Sequence, residues 1–150
     1  MLIELLGVHL WNLYSVSECH DVAQMELTNG EYGTRKFCPI GKIFKGVDAV
    51  VLDENLMPRA TGEEGELYVA GPTLAREYLN LPELTASRFP TIGGVRMYKT
   101  GDRARVLPNR DLEILGRCDS MQKIRGYSVR SKQILFDSLL IDCLGRAACY

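Results

Sequence analysis

The sequence lacks the features of a disulfide-rich, zinc-binding or membrane-spanning chain. Its five cysteines are scattered, odd in number and form no Cys-x-x-Cys pair, which argues against a disulfide framework and against a zinc site. No apolar run is long enough to cross a bilayer. The first seven residues carry a glutamate and no basic residue, so they make a poor signal peptide. We therefore predict a reducing, cytoplasmic setting and no membrane partner.

The sequence also lacks the excess of basic residues that would give the protein a positive electrostatic potential. The 18 lysines and arginines are offset by 19 acidic residues, giving a formal net charge of −1, whereas nucleic-acid-binding domains are strongly basic. The chain also has no stripe of alternating basic and aromatic residues of the kind that holds single strands. Nucleic acid is therefore not an expected partner. The 150 residues are 46% hydrophobic, which is enough to build the core of one ordinary domain.

Short apolar segments separated by Gly, Pro and Asp turns predict a small antiparallel sheet or barrel. Pro82 opens a predicted short helix at residues 82–89, and residues 73–79 predict one or two helical turns. The polar stretch 116–126 predicts a boundary, and the apolar spacing within residues 134–144 predicts one face of a helix. The predicted strands lie at residues 10–16, which we expect to be buried, and at 47–52, 66–71, 96–99, 104–107 and 112–115.

Two polar turns carry the strongest chemical signal in the chain. Residues 98–103 read Tyr-Lys-Thr-Gly-Asp-Arg, and residues 116–119 follow after a short hairpin as Gly-Arg-Cys-Asp. The acidic side chain behind Gly101 can accept hydrogen bonds from a vicinal diol such as a ribose. The arginine at 117 can reach the same sugar or its phosphate through its planar guanidinium. Each turn alone is a common surface feature, whereas the two together in this order and at this spacing are hard to obtain by chance.

Further motifs accompany these turns. In chain order they are Asn-Leu-Tyr-Ser-Val-Ser-Glu at 12–18, Gly-Glu-Leu-Tyr-Val-Ala-Gly at 65–71 with residues 79–89, Tyr-Lys-Thr-Gly-Asp at 98–102, and the segment 116–126 that ends in Lys-Ile-Arg-Gly. This series resembles the adenylate-forming enzymes, which include acyl-CoA synthetases, luciferases and the adenylation domains of nonribosomal peptide synthetases. The last type is the most similar. The resemblance extends from residue 11 to about residue 129, and four ordered motifs make it specific.

The resemblance implies an α+β fold with three parts: the end of an α/β sheet, a small antiparallel β-barrel-like subdomain, and the start of the C-terminal small domain. Residues 1–116 would be the C-terminal part of the large adenylation domain. Residues 117–150 would be the hinge and the truncated start of the small domain. The implied activity is that of a ligase that uses ATP and Mg²⁺ to convert a carboxylic or amino acid into an acyl adenylate. A carrier protein is the implied macromolecular partner.

The resemblance also implies roles for individual residues. Ser15 and Val16 stand where the family has Gly-Pro, which changes the backbone freedom of that turn. The implied nucleotide contacts are Asn12 near the adenine base, Tyr14 stacked on it, Ser17 at a phosphate, Asp102 at the ribose hydroxyls and Arg117 at the ribose or phosphate. Glu18 would hold magnesium through its carboxylate, and Asp119 would be the hinge about which the small domain turns.

Other parts of the family's machinery are missing from the sequence. It contains no Gly- and Ser/Thr-rich phosphate loop, and Lys123 belongs to the Lys-Ile-Arg-Gly segment, so it is not matched to the family's catalytic lysine. No catalytic residue is therefore assigned, and we predict a fragment that is inactive alone. The alternative is a non-catalytic module that binds nucleotide weakly or associates with another chain. Cys19 and His20 are adjacent, but neighbouring strand residues point to opposite faces, so they are not predicted to form a nucleophilic pair.

Overall fold

The computed structural model of the chain describes residues 8–27 and 37–118, together with the strands at 121–124 and 127–130. These residues form a mostly antiparallel sheet with one short helix. The chain divides into two compact units, Met1–Gly116 and Arg117–Tyr150. In chain order, the elements are β1 (Leu10–Val16), β2 (His20–Leu27), β3 (Pro39–Ile43), β4 (Asp48–Leu52), β5 (Gly65–Ala70), α1 (Pro82–Arg88), β6 (Thr91–Ile92), β7 (Val95–Arg96), β8 (Tyr98–Val106), β9 (Leu112–Arg117), β10 (Met121–Ile124) and β11 (Tyr127–Arg130).

Seven of these strands form one sheet, in the order β1-β2-β3-β9-β8-β5-β4. Antiparallel pairing joins β1 to β2, β2 to β3, β3 to β9, β4 to β5 and β5 to β8. Two further antiparallel pairs, β6 with β7 and β10 with β11, stand outside this sheet. Among the described residues, no helix has the length and apolar character needed to span a membrane.

The core of the first unit is built from residues of most of these strands. Leu67 and Val69 lie on one face of β5 and are 0% and 1% exposed, and the intervening Tyr68 is 3% exposed, so both faces of this part of the strand are buried. Phe89, which follows α1, brings an aromatic ring into the same cluster. The buried cluster consists of Cys19, Val22, Ala23, Ile40, Val51, Leu67, Val69, Phe89, Tyr98, Ala104 and Leu112.

Several predicted elements are confirmed and others are corrected. Strand β1 is present, but the prediction that it is buried is wrong, because it lies at the sheet edge and Trp11 and Leu13 are each 52% exposed. The strands predicted at 96–99 and 104–107 are largely one strand, β8, which runs through Gly101 at φ +75°. Strands β2 and β3 were not predicted. The helical face predicted within 134–144 lies outside the described residues.

The helical turns predicted at residues 73–79 are absent from the structure, which has no helix there. Other partners take the backbone groups that a helix would pair internally. The amide of Ala75 donates to the carbonyl of Glu18 at 2.7 Å. The guanidinium of Arg96 donates to the carbonyl oxygens of Ala75 at 2.9 Å and of Arg76 at 2.6 Å. Tertiary hydrogen bonds therefore override the local helical preference of this segment.

Candidate functional site

Tyr14 and Asp102 meet across the large sheet. The phenol hydroxyl of Tyr14, on β1, donates to the Oδ2 atom of Asp102, on β8. In a flat sheet these strands would be four spacings of about 4.8 Å apart, or roughly 19 Å. The hydrogen bond therefore requires a strongly curved sheet. This curvature brings together two residues that the sequence motifs assign to one nucleotide.

The Thr-Gly-Asp motif fixes the direction of the Asp102 side chain. The amide of Asp102 donates to Oγ1 of Thr100 at 3.0 Å, and this hydroxyl donates to the carbonyl of Leu67 on β5 at 2.8 Å. Gly101 has φ +75°, a conformation that residues with a Cβ rarely adopt. Thr100 is 2% exposed and Asp102 is 8% exposed. These contacts hold the backbone of Asp102 in the sheet, and its carboxylate is bound by Tyr14.

The electrostatics of this pair keep the Tyr14 phenol protonated. Burial raises the pKa of Tyr14 well above its ordinary value, and the charge of Asp102 and the hydrogen bond to that carboxylate raise it further. An interaction with the Thr100 side chain lowers the pKa of Tyr14 by a smaller amount. Since the phenol remains neutral, Tyr14 acts as a donor to Asp102. A carboxylate offers about four lone-pair positions, so it can accept from Tyr14 and from a ligand at the same time.

Asn12 lies beside Tyr14 on the same face of β1. Asn12, Tyr14 and Val16 are partly buried, while the intervening side chains of the strand are exposed. The Asn12 side-chain amide donates to the carbonyl of Pro39 at 2.8 Å. The strand continues to Val16 with a register shift between Tyr14 and Ser15. Ser15 and Val16, which stand in place of Gly-Pro, therefore belong to the strand.

Ser17 and Glu18 occupy the turn that joins β1 to β2. Ser17 is exposed, and Glu18 is partly buried. Oε1 of Glu18 accepts a hydrogen bond of 2.6 Å from the Tyr78 hydroxyl. Among residues 8–27, 37–118 and the two later strands, no three His, Cys, Asp or Glu side chains cluster as a metal site. A lone carboxylate fits Mg²⁺, which is commonly held by one or two carboxylates with phosphates and water.

The two remaining predicted site residues lie in the second unit. Arg117 ends β9 and begins that unit, and its side chain is partly buried. Asp119 lies outside the described residues. Their roles at the nucleotide and at the hinge stay predictions.

Sequence reasoning missed Tyr78, although it lies close to one of the motifs. Its partner Glu18 is 60 positions away in the chain, so no local spacing connects the two residues. Thr100 belonged to a recognised motif, but its hydrogen bonds across β5 and β8 depend on the strand pairing. Neither contact can be predicted from hydrophobic periodicity or motif spacing in the sequence.

Cys19 and His20 do not form a nucleophilic pair. Cys19 is 1% exposed, whereas His20 is exposed and its Nδ1 lies 3.4 Å from Asp21. Burial, followed by the charge of Glu18, raises the pKa of the Cys19 thiol to about 12. This cysteine is therefore a packed core residue.

We expect iodoacetamide to alkylate Cys38 and to leave Cys19 unmodified in the folded chain. Cys38 is exposed, while Cys19 is buried and is a thiol rather than a thiolate near pH 8. Mass spectrometry of the tryptic peptides measures both modifications. A sample alkylated in urea is the control, and both peptides should be modified there. Equal modification of the two cysteines in the native chain would contradict the buried position of Cys19.

Comparison with known proteins adds three kinds of similarity. The family model described as AMP-binding enzyme matches residues 2–79. Bacitracin synthase 1 from Bacillus licheniformis is 38% identical over 133 residues, which are 86% of this chain and 2% of that protein. Glycine betaine reductase ATRR from Emericella nidulans is 41% identical over 128 residues, which are 82% of this chain and 10% of that protein. The chain thus spans a small part of the curated relatives it matches.

Two solved structures share the fold of the described residues. One is NpsA-ThdA, an artificially fused adenylation-PCP di-domain from Klebsiella oxytoca. It matches with a TM-score of 0.75 and 31% identity, over 85% of this chain and 24% of that one. The other is IdnL1, with a TM-score of 0.81 and 23% identity, over 89% of this chain and 29% of that one. The mostly antiparallel sheet with its short helix is therefore similar to part of an adenylation domain.

Proposed function

Because the chain belongs to the AMP-binding enzyme family, we propose that its first unit forms part of the nucleotide site of an ATP-dependent, carboxylate-activating enzyme. The reaction would join a carboxylic or amino acid to AMP and release pyrophosphate. The contact between Tyr14 and Asp102 carries this proposal, since it brings two motifs 88 positions apart in the chain to one point. The proposed architecture is a barrel-like subdomain closed by this curvature, within an α+β enzyme.

In the proposed site, the strand residues hold the nucleoside. Thr100 holds the backbone amide of Asp102, and the Asp102 carboxylate would accept from both ribose hydroxyls, as a buried anion can. The ring of Tyr14 offers an aromatic face to the adenine, and Asn12 supplies a polar group on the same face of β1.

The turn after β1 would face the phosphates. Ser17 and Glu18 are consecutive residues. The Ser17 hydroxyl would therefore bind a phosphate while the Glu18 carboxylate binds the Mg²⁺ on that phosphate. When bound, the metal would offset phosphate charge. Arg117 and Asp119 keep their proposed roles at the ribose or phosphate and at the hinge. A carrier protein is the proposed macromolecular partner, in line with the adenylation-PCP fusion among the similar structures.

Association with another polypeptide is the second candidate function. Its support is the edge strand β1, where Trp11 and Leu13 on one face are each 52% exposed and Leu10 on the other face is 47% exposed. The preceding Val8 is 49% exposed. Large exposed apolar groups on one sheet edge favour contact with a second surface.

Two measurements on the 150-residue chain test the proposed function. We expect weak binding of ATP·Mg²⁺ by calorimetry, because the nucleoside contacts are present and the sequence holds no phosphate loop. We expect no acid-dependent exchange of pyrophosphate into ATP above a no-enzyme control, with pooled amino acids and aryl acids as substrates. Exchange above that control would contradict the prediction that the chain is inactive alone. A folded chain that binds no nucleotide would favour the association module.

A further inference from the structure

The Glu18 carboxylate is held by a residue that the family motifs do not assign to the metal. The hydroxyl of Tyr78 donates to Oε1 of Glu18 at 2.6 Å. We propose that Tyr78 is a positioning residue that orients the Glu18 carboxylate toward a nucleotide-bound divalent cation. This inference rests on the proposed function, because that function makes Glu18 the metal ligand.

The segment that carries Tyr78, residues 73–78, also holds the backbone of the turn. The amide of Ala75 donates to the Glu18 carbonyl at 2.7 Å. The Thr73 hydroxyl donates to the Cys19 carbonyl at 2.8 Å. Glu18 is therefore fixed at two points by one segment, once through its main chain and once through its carboxylate. This arrangement is more restrictive than a single side-chain contact.

Tyr78 itself is held in place independently of Glu18. Its ring packs against Phe89 with the centroids 5.7 Å apart, and Phe89 packs against Tyr98 at 5.1 Å. The Tyr78 amide donates to the Thr85 hydroxyl at 2.9 Å. The guanidinium of Arg96 lies 4.4 Å from the Phe89 centroid and also binds the carbonyl oxygens of residues 75 and 76. The phenol is thus a preorganised donor.

A preorganised donor matters because an unrestrained glutamate samples many rotamers. One hydrogen bond from Tyr78 fixes the orientation of the carboxylate while leaving lone pairs for a cation. Partners of this kind orient metal ligands, and their removal commonly lowers metal affinity by about 10- to 100-fold. Tyr78→Phe keeps the ring that packs on Phe89 and removes the hydroxyl alone. It therefore tests orientation without opening a cavity.

The test uses the 150-residue chain, with Mn²⁺ as the probe and ATP present. Electron paramagnetic resonance measures free Mn²⁺, and calorimetry in EDTA measures the affinity for metal-free ATP. We expect Tyr78→Phe to weaken Mn²⁺ binding about 10-fold or more and to leave the affinity for metal-free ATP unchanged. Tyr68→Phe is the matched control, because it likewise removes one tyrosine hydroxyl from the first unit, and the Tyr68 hydroxyl lies by Lys99 rather than Glu18. It should bind Mn²⁺ like the parent chain.

Glu18→Gln separates failure of this inference from failure of the proposed function. If Glu18→Gln weakens Mn²⁺ binding and Tyr78→Phe does not, the positioning role is overturned and the metal role of Glu18 stands. If Glu18→Gln binds Mn²⁺ like the parent, or if the parent takes up no Mn²⁺ with ATP, both are overturned. In the ligand-free chain, the ¹³C carboxyl resonance of Glu18 should shift in Tyr78→Phe. An unchanged resonance would overturn the positioning role independently of metal binding.

Discussion

Gly41→Ala is expected to lower the free energy of unfolding by at least about 4 kcal/mol. Gly41 lies in β3 at φ +77°, where a side chain is strained. A Cβ at this position would also lie 2.3 Å from the Gln24 carbonyl oxygen and 2.5 Å from the Met25 Cβ. Relief would require the backbone of β2 to move, and β2 pairs with β3 through residues 23 and 24. Strain and overlap therefore act together.

Gly62→Ala is the matched control for the conformational part of this effect. Gly62 has φ +87°, but a Cβ there would meet nothing within 4 Å. We expect it to cost about 1–2 kcal/mol, which is the strain of a left-handed residue alone. Urea denaturation followed by circular dichroism measures both variants. Equal losses at the two positions would show that β2 and β3 do not approach as closely as described.

Asp102→Asn is expected to weaken ATP·Mg²⁺ binding by about 100-fold or more, measured by calorimetry. Hydrogen bonds to a charged group contribute roughly 1.5–3 kcal/mol each, and the proposed site uses two of them to the ribose hydroxyls. The amide keeps one oxygen, which can still accept from Tyr14, but replaces the other acceptor with a donor. The fold should therefore survive while ribose binding is lost.

Tyr14→Phe provides the comparison for Asp102→Asn. It removes the hydroxyl that donates to Asp102 and keeps the aromatic face proposed for adenine. We expect a smaller loss of affinity than for Asp102→Asn, because both ribose acceptors remain. A folded Asp102→Asn chain that binds ATP·Mg²⁺ as tightly as the parent would contradict the ribose assignment.

The sequence predicts the parts of this fold that are specified locally. Helix α1 follows from Pro82 at its first turn, and β4 and β5 follow from apolar runs bounded by turns. The family resemblance also implies that Tyr14 and Asp102 contact one nucleotide, and the two residues meet in the structure. These features depend on residue type and order, which the chain displays directly.

The features of the fold that the sequence does not predict are those that depend on contacts between distant segments. Strand β2 begins at His20 with φ +63°, directly after a polar turn, so its first residues carry no apolar run that would predict a strand. Residues 73–78 have helix-compatible composition, but hydrogen bonds to Glu18, Cys19 and Arg96 hold them in another conformation. The contact of Tyr78 with Glu18 cannot be predicted from the sequence for the same reason. The two residues are 60 positions apart, and only the folded chain brings them together.

The hydrogen bond between Tyr14 and Asp102 closes a loop of chain 88 positions long. Contacts of such long range are slow to form, because the entropy of closing the loop is lost before the contact is gained. We therefore expect the junction to form late in folding, and a short peptide that carries one motif cannot reproduce it. A ligand that binds only the closed state stabilises that state by mass action. ATP bound at the junction would thus slow proteolytic cleavage throughout the intervening chain, well beyond the residues it touches.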